Sequence, residues 1–524
     1  MVALWRFGRR ALAAALALLA GASLALALRT APEAPQAAFY LIHTRAWELL
    51  AGVLAALAVP HLAPRVSRRV ARALAALGLG LVVVGLVALP EQGVWPGPYT
   101  LVPVAGAIAL LMFGAPDAAA SRLLGLAPLV GLGLVSYSAY LWHQPILGFL
   151  AIVGQKPATT PGIAAAVAAT LAVAWASWAL VEQPFRTRRL PARIGRPALG
   201  LAAAAIAAFA LGGHVTEGYP GRLPAAARAA LAWGQSWPSR YWDCVGGRAE
   251  ALRLDPAQAC VHGAPVPPRV AIWGDSHAAT LAEPLGLALA AEGVAVLELS
   301  VGGCMPVSGA INSGQNRSRT CAEHNARMLD FLTQERGIEV VVVHSYWNYF
   351  VERRDFDNGT GSVRPDDLFA QDPGGAPDAS DAERVGYLTA RLQEDISRLT
   401  AAGKQVLLSY PLPEPGFDVP DHLARLAMLG RPGPSTMVIP EAAFRDYSRL
   451  ARAMLDGVGV RPVLTRIDLS PALCLEDLLC RVVDAGEPLY FDDNHLSRAG
   501  AARVVPALAA AVAAMLMPRD TGMP

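Results

Sequence analysis

Residues 271–280 read AIWGDSHAAT. An apolar, strand-like VAIW runs into Gly274-Asp275-Ser276-His277, and a helix-like AATLAEPLGLALAA follows. A strand that turns sharply into a helix can hold a hydroxyl out at the edge of a sheet, beside the free N–H groups of the helix N-terminus. The same letters also make an ordinary helix start, because Asp and Ser are favoured N-caps. The rest of the chain has to decide between these readings.

Outward from the turn, short β-branched runs alternate with helical patterns. RVAIW (269–273), VAVLELS (294–300), IEVVVVHS (338–345), KQVLLSY (404–410) and RPVLTRIDL (461–469) are the expected strands. Helices are expected near 278–292, 322–336, 381–403, 441–457 and 498–516. Such alternation implies an α/β domain, a parallel sheet covered by helices on both faces. Sites in these folds lie at the carboxyl ends of the strands, where Ser276 falls. A serine there needs a base, and LYFDDNHLSRAGA near the C-terminus offers one. Asp492 stands three residues before His495, so its carboxylate can accept from one ring nitrogen and leave the other for the serine proton. The competing account makes Asp492, Asp493 and Asn494 turn residues and Ser497 a helix cap. Both accounts can hold together, because a well-capped turn keeps a histidine still.

The first two-fifths of the chain has a different character. Over all 524 residues 54% are hydrophobic and 16% charged, and the shift is concentrated here. Stretches at about 10–28, 38–59, 71–89, 98–115, 129–153, 161–181 and 197–214 are apolar and long enough to be read as seven membrane spans. With the N-terminus in the cytoplasm, the inner segments carry Arg6, Arg9, Arg10, Arg65, Arg68, Arg69, Arg72, Arg122, Arg186, Arg188, Arg189, Arg193 and Arg196. The outer loops carry only Arg29 and Lys156, a strong positive-inside asymmetry. An odd number of spans then puts the rest of the chain outside the cytoplasm. All six cysteines lie there: Cys244, Cys260, Cys304, Cys321, Cys474 and Cys480. An even count in one region points to disulfides in an oxidising compartment, most simply between sequence neighbours. The expected organisation is a membrane domain over 1–214, a Gly-, Pro-, Ser- and Arg-rich linker over 215–240, and an extracytoplasmic domain over 241–524. Inside the spans, FYLIHTRAWELLAG carries His43, Arg45 and Glu48, and GLVSYSAYLWHQPILGF carries His143. Arg45 and Glu48 share a helix face. Ionisable groups at that depth mark either a functional site or an interhelical staple.

GDSH after the first strand and DDNHLS before the last helix, about 220 residues apart, resemble the first and last blocks of the SGNH hydrolase fold. The resemblance implies Ser276 as nucleophile, His495 as general base and Asp492 as its orienting partner. It implies an oxyanion glycine at Gly302 or Gly303 in SVGGCMP. The family's asparagine block is absent; HSYWNYF stands there, with Asn348 or a backbone N–H near Trp347 as the replacement donor. One such donor is worth roughly 3 kcal/mol. FYLIHTRAWELLAG, LGLVSYSAYLWHQPI and WALVEQPFR resemble the later spans of the acyltransferase-3 membrane family, whose members move acyl groups, usually acetyl, onto bacterial surface glycans. One branch joins those spans to an extracytoplasmic SGNH domain with paired cysteines, and the chain resembles it throughout. The family's opening spans, with an intramembrane histidine, have no counterpart, so the chain is expected to begin just after them.

The resemblance implies an O-acyltransferase in the bacterial inner membrane, N-terminus cytoplasmic and SGNH domain periplasmic. Its donor would be acyl-CoA, and its acceptor a glycan such as O-antigen, exopolysaccharide or peptidoglycan. A membrane-anchored carbohydrate esterase and a truncated, non-catalytic remnant are the alternatives. No bound cofactor and no metal are expected, since the histidines lack ligand spacing. No nucleic-acid partner is expected, since no basic run with interleaved aromatics occurs.

Overall fold

The computed structural model describes residues 8–31, 35–89, 97–152, 159–187, 192–245, 255–309, 311–312, 316–352, 356, 371–372, 379–459, 463–475 and 478–517. Of the cations counted above, Arg6, Lys156, Arg188 and Arg189 lie outside these residues, as does the start of the fifth expected strand. The chain divides into two compact units, residues 1–210 and 211–524, with the boundary inside one helix.

The first unit is helical: α1 (Arg9–Thr30), α2 (Ile42–Leu62), α3 (Arg68–Val87), α4 (Leu101–Phe113), α5 (Ala127–Ile152), α6 (Thr160–Ser177) and α7 (Ala192–Val215). Successive helices pack as pairs, α1 on α2, α3 on α4 and α5 on α6. Small residues set the closest pairing. A Cβ on Gly78 would stand 2.8 Å from the Gly106 carbonyl oxygen, and one on Gly106 would stand 2.6 Å from that of Gly78. Such backbone approach replaces a hydrophobic drive where the surroundings are themselves apolar. By length and composition α1, α2, α3, α6 and α7 can each cross a bilayer, while α4 belongs to a shorter apolar stretch, Pro98–Phe113. α5 is longer, 26 residues, and dotted with polar groups. The end of α6 widens into a π-turn over Trp178–Glu182. Pro184 follows, whose ring clashes with the carbonyl four residues back in a regular helix.

The second unit is α/β. Its main sheet comprises β1 (Val261–Gly263), β2 (Val270–Gly274), β3 (Ala295–Ser300), β4 (Val340–His344), β5 (Gln405–Ser409) and β6 (Leu464–Ile467), in the order β1-β3-β2-β4-β5-β6. β3, β2, β4, β5 and β6 are parallel, and β1 is an antiparallel edge. The two faces follow the period-2 alternation of strand side chains. Val270, Ile272, Val340, Val342 and Leu407 face one core, which includes residues of α9 (Ser276–Leu289), α12 (Val419–Met428) and α14 (Arg498–Leu516). Ala271, Trp273, Val341, Val343 and Leu408 face the other, with α10 (Asn316–Gln334), α11 (Asp381–Ala401) and α13 (Arg449–Gly457). Each fully buried Val or Leu in these layers contributes roughly 1.5–3 kcal/mol. α14 is apolar and 19 residues long, yet Val504, Val505, Leu508 and Val512 lie in this core.

Three features depart from the expectations. Residues 215–240, read as a linker, contain α8 (Ala225–Trp233), which packs on α12 with Ala227 and Ala230 in the core. The helix expected over 441–457 is broken into Glu441–Tyr447 and α13. A second, antiparallel sheet joins Met437–Pro440, Leu479–Asp484 and Glu487–Pro488. The disulfides are Cys244–Cys260, Cys304–Cys321 and Cys474–Cys480.

Two outcomes test this packing. A Cβ at Gly274 would lie 1.8 Å from the His344 carbonyl oxygen and 2.6 Å from Ala278 Cβ. Gly274→Ala must therefore push β2 from β4 and destabilise the second unit by about 3 kcal/mol, read by chemical denaturation of the full chain. Replacing Cys304 and Cys321 together by Ala opens a loop whose ends are 17 residues apart. The expected loss is also about 3 kcal/mol, and an unchanged midpoint refutes it.

Candidate active site

β2 lies between β3, the next strand in the chain, and β4, to which the chain crosses back. The loop after β2 therefore sits at the switch point of a parallel sheet, outside the carboxyl ends of the strands. Asp275 caps α9: its Oδ1 accepts from the His277 N–H at 2.9 Å. Its Oδ2 accepts from the Ser345 hydroxyl at 2.7 Å and the Tyr346 N–H at 2.9 Å, just past β4. The carboxylate is buried, and burial raises its pKa although these bonds oppose the rise.

Ser276 follows as the first residue of α9, where its own N–H has no intrahelical acceptor. Its Oγ lies 2.8 Å from His495 Nε2, and His495 Nδ1 lies 2.7 Å from Asp492 Oδ2. The three side chains expected to work together form one hydrogen-bonded line. Asp492 Oδ1 also accepts from the N–H groups of Asn494 (2.9 Å) and His495 (2.7 Å), so the Asp-x-x-His turn is self-locked. Burial pushes the Asp492 carboxyl up, but the charge and hydrogen bonds of His495 outweigh it, and the group sits below its ordinary range. Burial likewise pushes His495 down; the Asp492 charge and hydrogen bond, with Asp275 and Asp493, bring it above its ordinary value.

The oxyanion candidates are placed less directly. Gly302 and Gly303 form a turn in which Cys304 N–H donates to the Val301 carbonyl at 3.0 Å, and Gly303 takes φ 72°, where glycine is favoured. Val301 N–H donates to the Gly274 carbonyl at 3.1 Å, which stitches this turn beside the serine turn. Asn348 is buried in the short helix Trp347–Val351, and its Nδ2 donates to Glu414 Oε1 at 2.8 Å. That bond commits one of its two amide hydrogens.

Residues that the sequence reading did not single out complete the site. His277 Nε2 lies 2.9 Å from Asn494 Oδ1, and its ring stacks on Tyr346 at 4.4 Å and leans on His495 at 4.4 Å. The GDSH and DDNH turns are thus joined twice, by Ser276–His495 and by His277–Asn494. Tyr241, buried, turns its hydroxyl to Ser276 and meets the charges of Asp275, Asp492 and Glu298; burial and these charges raise its pKa. Nothing local marks this tyrosine, although it stands three residues before a cysteine. Behind it His262 Nε2 pairs with Glu298 Oε2 at 2.7 Å, and the Ser300 hydroxyl donates to Glu298 at 2.5 Å. Cys244 Sγ converges on the same pair but is bonded to Cys260.

In the first unit, Arg45 and Glu48 form an ion pair in which Nη2 donates to Oε2 at 2.8 Å and Nε stands 2.7 Å from Oε1, with the guanidinium over the Phe39 ring. Among the described residues no hydrogen bond or ion pair joins His43 or His143 to them. The His43 carbonyl accepts from the Ser23 hydroxyl at 2.7 Å, and His143 Nδ1 donates to the Tyr140 carbonyl at 2.6 Å. Glu182, in the π-turn, accepts from Ser138 at 3.3 Å and from Arg186 at 3.0 Å, and was not among the residues singled out.

A parallel sheet with a Ser–His–Asp line on its carboxyl edge, in a chain that also carries membrane-length helices, defines a multi-pass membrane protein with an SGNH-type domain. The chain belongs to the family of SGNH domains fused to AT3 domains, whose model matches residues 243–510, just over half of it. Residues 1–182 match an acyltransferase domain. The peptidoglycan O-acetyltransferase OatA of Listeria monocytogenes is 28% identical over 162 residues, 29% of this chain and 26% of that protein. The chain thus spans about a quarter of the length of this curated relative. The periplasmic domain of a lipopolysaccharide acetyltransferase from Salmonella ser. Paratyphi A aligns at 14% identity and TM-score 0.38, covering 55% of this chain and 97% of that one.

The electrostatics set a pH dependence. A base must be neutral, so ester cleavage should rise with pH through the His495 pKa, and its midpoint should lie above the ordinary histidine value of 6.5. Asp492→Asn removes the main group holding that pKa up. The midpoint should move to lower pH and the plateau rate should fall on the order of 10³- to 10⁴-fold, measured with an aryl acetate. A midpoint that stays put in Asp492→Asn would contradict the assignment.

Proposed function

We propose that the protein is an O-acyltransferase that places an acyl group, acetyl in the simplest case, on a cell-envelope glycan. In this reading α1 to α7 cross the bacterial inner membrane, with the N-terminus in the cytoplasm as the arginine asymmetry favours. The SGNH domain then lies in the periplasm, where its three disulfides are stable. An acyl group from cytoplasmic acyl-CoA passes through the membrane unit, in which Arg45–Glu48, His43 and His143 are the candidate polar groups.

The observation that carries the reading is the line Ser276–His495–Asp492 on a chain with an acyltransferase membrane unit. His495 takes the Ser276 proton as Oγ attacks the acyl carbonyl, and the imidazolium is stabilised by Asp492, whose low pKa keeps it charged. The tetrahedral oxyanion falls to the Ser276 N–H, the Gly302–Gly303 turn and the Asn348 region. Collapse expels the donor's leaving group, which carries off the proton from His495. A sugar hydroxyl then repeats the sequence: His495 takes its proton, its oxygen attacks the acyl-serine, and Ser276 recovers a proton as the glycan ester leaves. Splitting one transfer into two is the gain from a covalent intermediate.

The test is the ester-linked acetate of surface polysaccharide in a strain lacking the gene, complemented with the chain or with Ser276→Ala. The chain should restore acetate, and Ser276→Ala should not. Acetate restored equally by Ser276→Ala would end the proposal.

A further inference from the structure

Transfer requires a sugar to compete with water at about 55 M, so the acyl-serine needs a built acceptor site that gives the sugar hydroxyl an effective molarity on the order of 10² M or more. The segment 237–244, tied by the Cys244–Cys260 bond to the start of the edge strand, has the form of one. Its short helix Tyr241–Cys244 places Tyr241 inward against Ser276 and leaves the next residue, Trp242, 63% exposed. Trp237 lies 4.8 Å from Trp242 and 4.5 Å from Tyr241 between ring centroids. It packs on Phe491 at 3.9 Å and reaches His495 at 6.0 Å, while Phe491 stacks parallel on the His495 ring at 5.3 Å. An aromatic surface therefore runs from solvent at Trp242, through Trp237, to the histidine that must deprotonate the acceptor.

The segment is held at both ends. Cys244 is bonded to Cys260, Ser239 binds Glu283 through its N–H (2.8 Å) and its hydroxyl, and the Trp237 carbonyl accepts from Arg498 Nε at 3.0 Å. Fixed aromatics bind with little ordering cost. A pyranose has an apolar C–H face and a rim of hydroxyls, the complement of a partly wet indole with a catalytic base at its edge. We infer that Trp237 and Trp242 form the acceptor subsite, stacking a pyranose ring of the glycan so that one rim hydroxyl reaches His495 Nε2 and the acyl-Ser276. This rests on the transfer reading and names the groups that favour sugar over water.

The test uses the purified full-length chain, 4-nitrophenyl acetate as donor, and oligomers of glucose, mannose and N-acetylglucosamine as acceptors. Acetylated oligomer and free acetate are measured together. Trp242→Ala should lower the ratio of transfer to hydrolysis about tenfold and raise the KM for the oligomer, and Trp242→Phe should recover most of both. Loss of the two products in parallel, with the ratio unmoved, overturns the subsite, as does wild-type protein that acetylates none of the oligomers. Trp fluorescence quenched by brominated phosphatidylethanolamine–phosphatidylglycerol vesicles, and lost in Trp242→Phe, would also overturn it, by assigning Trp242 to the bilayer interface. Failure of the transfer reading itself looks different: Ser276→Ala would retain acetate release.

Discussion

A single buried carboxylate organises the second unit. Asp275 is out of water, and removing a charge from water costs several kcal/mol unless donors replace the solvent. Here the donors are the N–H of His277, the hydroxyl of Ser345 and the N–H of Tyr346, from two different loops. Satisfying that one group fixes the start of α9, closes the end of β4 against β2, and sets the direction of Ser276 between them. The N-cap reading and the catalytic reading of GDSH are therefore two effects of the same bonds. Helix capping is what holds the Ser276 turn rigid beside His495.

The second organising feature is the double link between turns. Ser276–His495 alone would be a single hydrogen bond between surface loops, worth about 1 kcal/mol. His277–Asn494, with the His277 ring wedged between Tyr346 and His495, adds a second, buried contact across the same gap. The histidine of GDSH thus packs directly against the histidine of DDNH. The membrane unit uses small-residue contact at Gly78–Gly106 and local ion pairing at Arg45–Glu48 instead.

What was legible in the sequence had a local cause. Short β-branched runs alternating with helical patterns announced the five parallel strands, and the Asp-x-x-His spacing announced the Asp492–His495 bond, which spans three residues of one turn. Arg45–Glu48 was legible for the same reason on a helix. What was missed depends on partners distant in the chain. β1 is only three residues long and exists because β3 offers it an edge. α8 looked like linker because Gly, Pro and Ser flank it, yet its alanines fit closely against α12. Tyr241 has no motif of its own; the Cys244–Cys260 bond brings it over Ser276. Among the described residues no hydrogen bond or ion pair ties His43 or His143 to Arg45–Glu48; His143 Nδ1 is taken instead by the Tyr140 carbonyl one turn back.

The Ser276–His495 bond closes a gap of 219 residues. Every strand of the main sheet from β3 onward is made between the two partners, and α14, which follows the histidine, packs on α9, which begins with the serine. During synthesis Ser276 therefore emerges long before His495. The bond between them can form only when the last turn is in place. The contact thus closes only around a domain that is nearly complete.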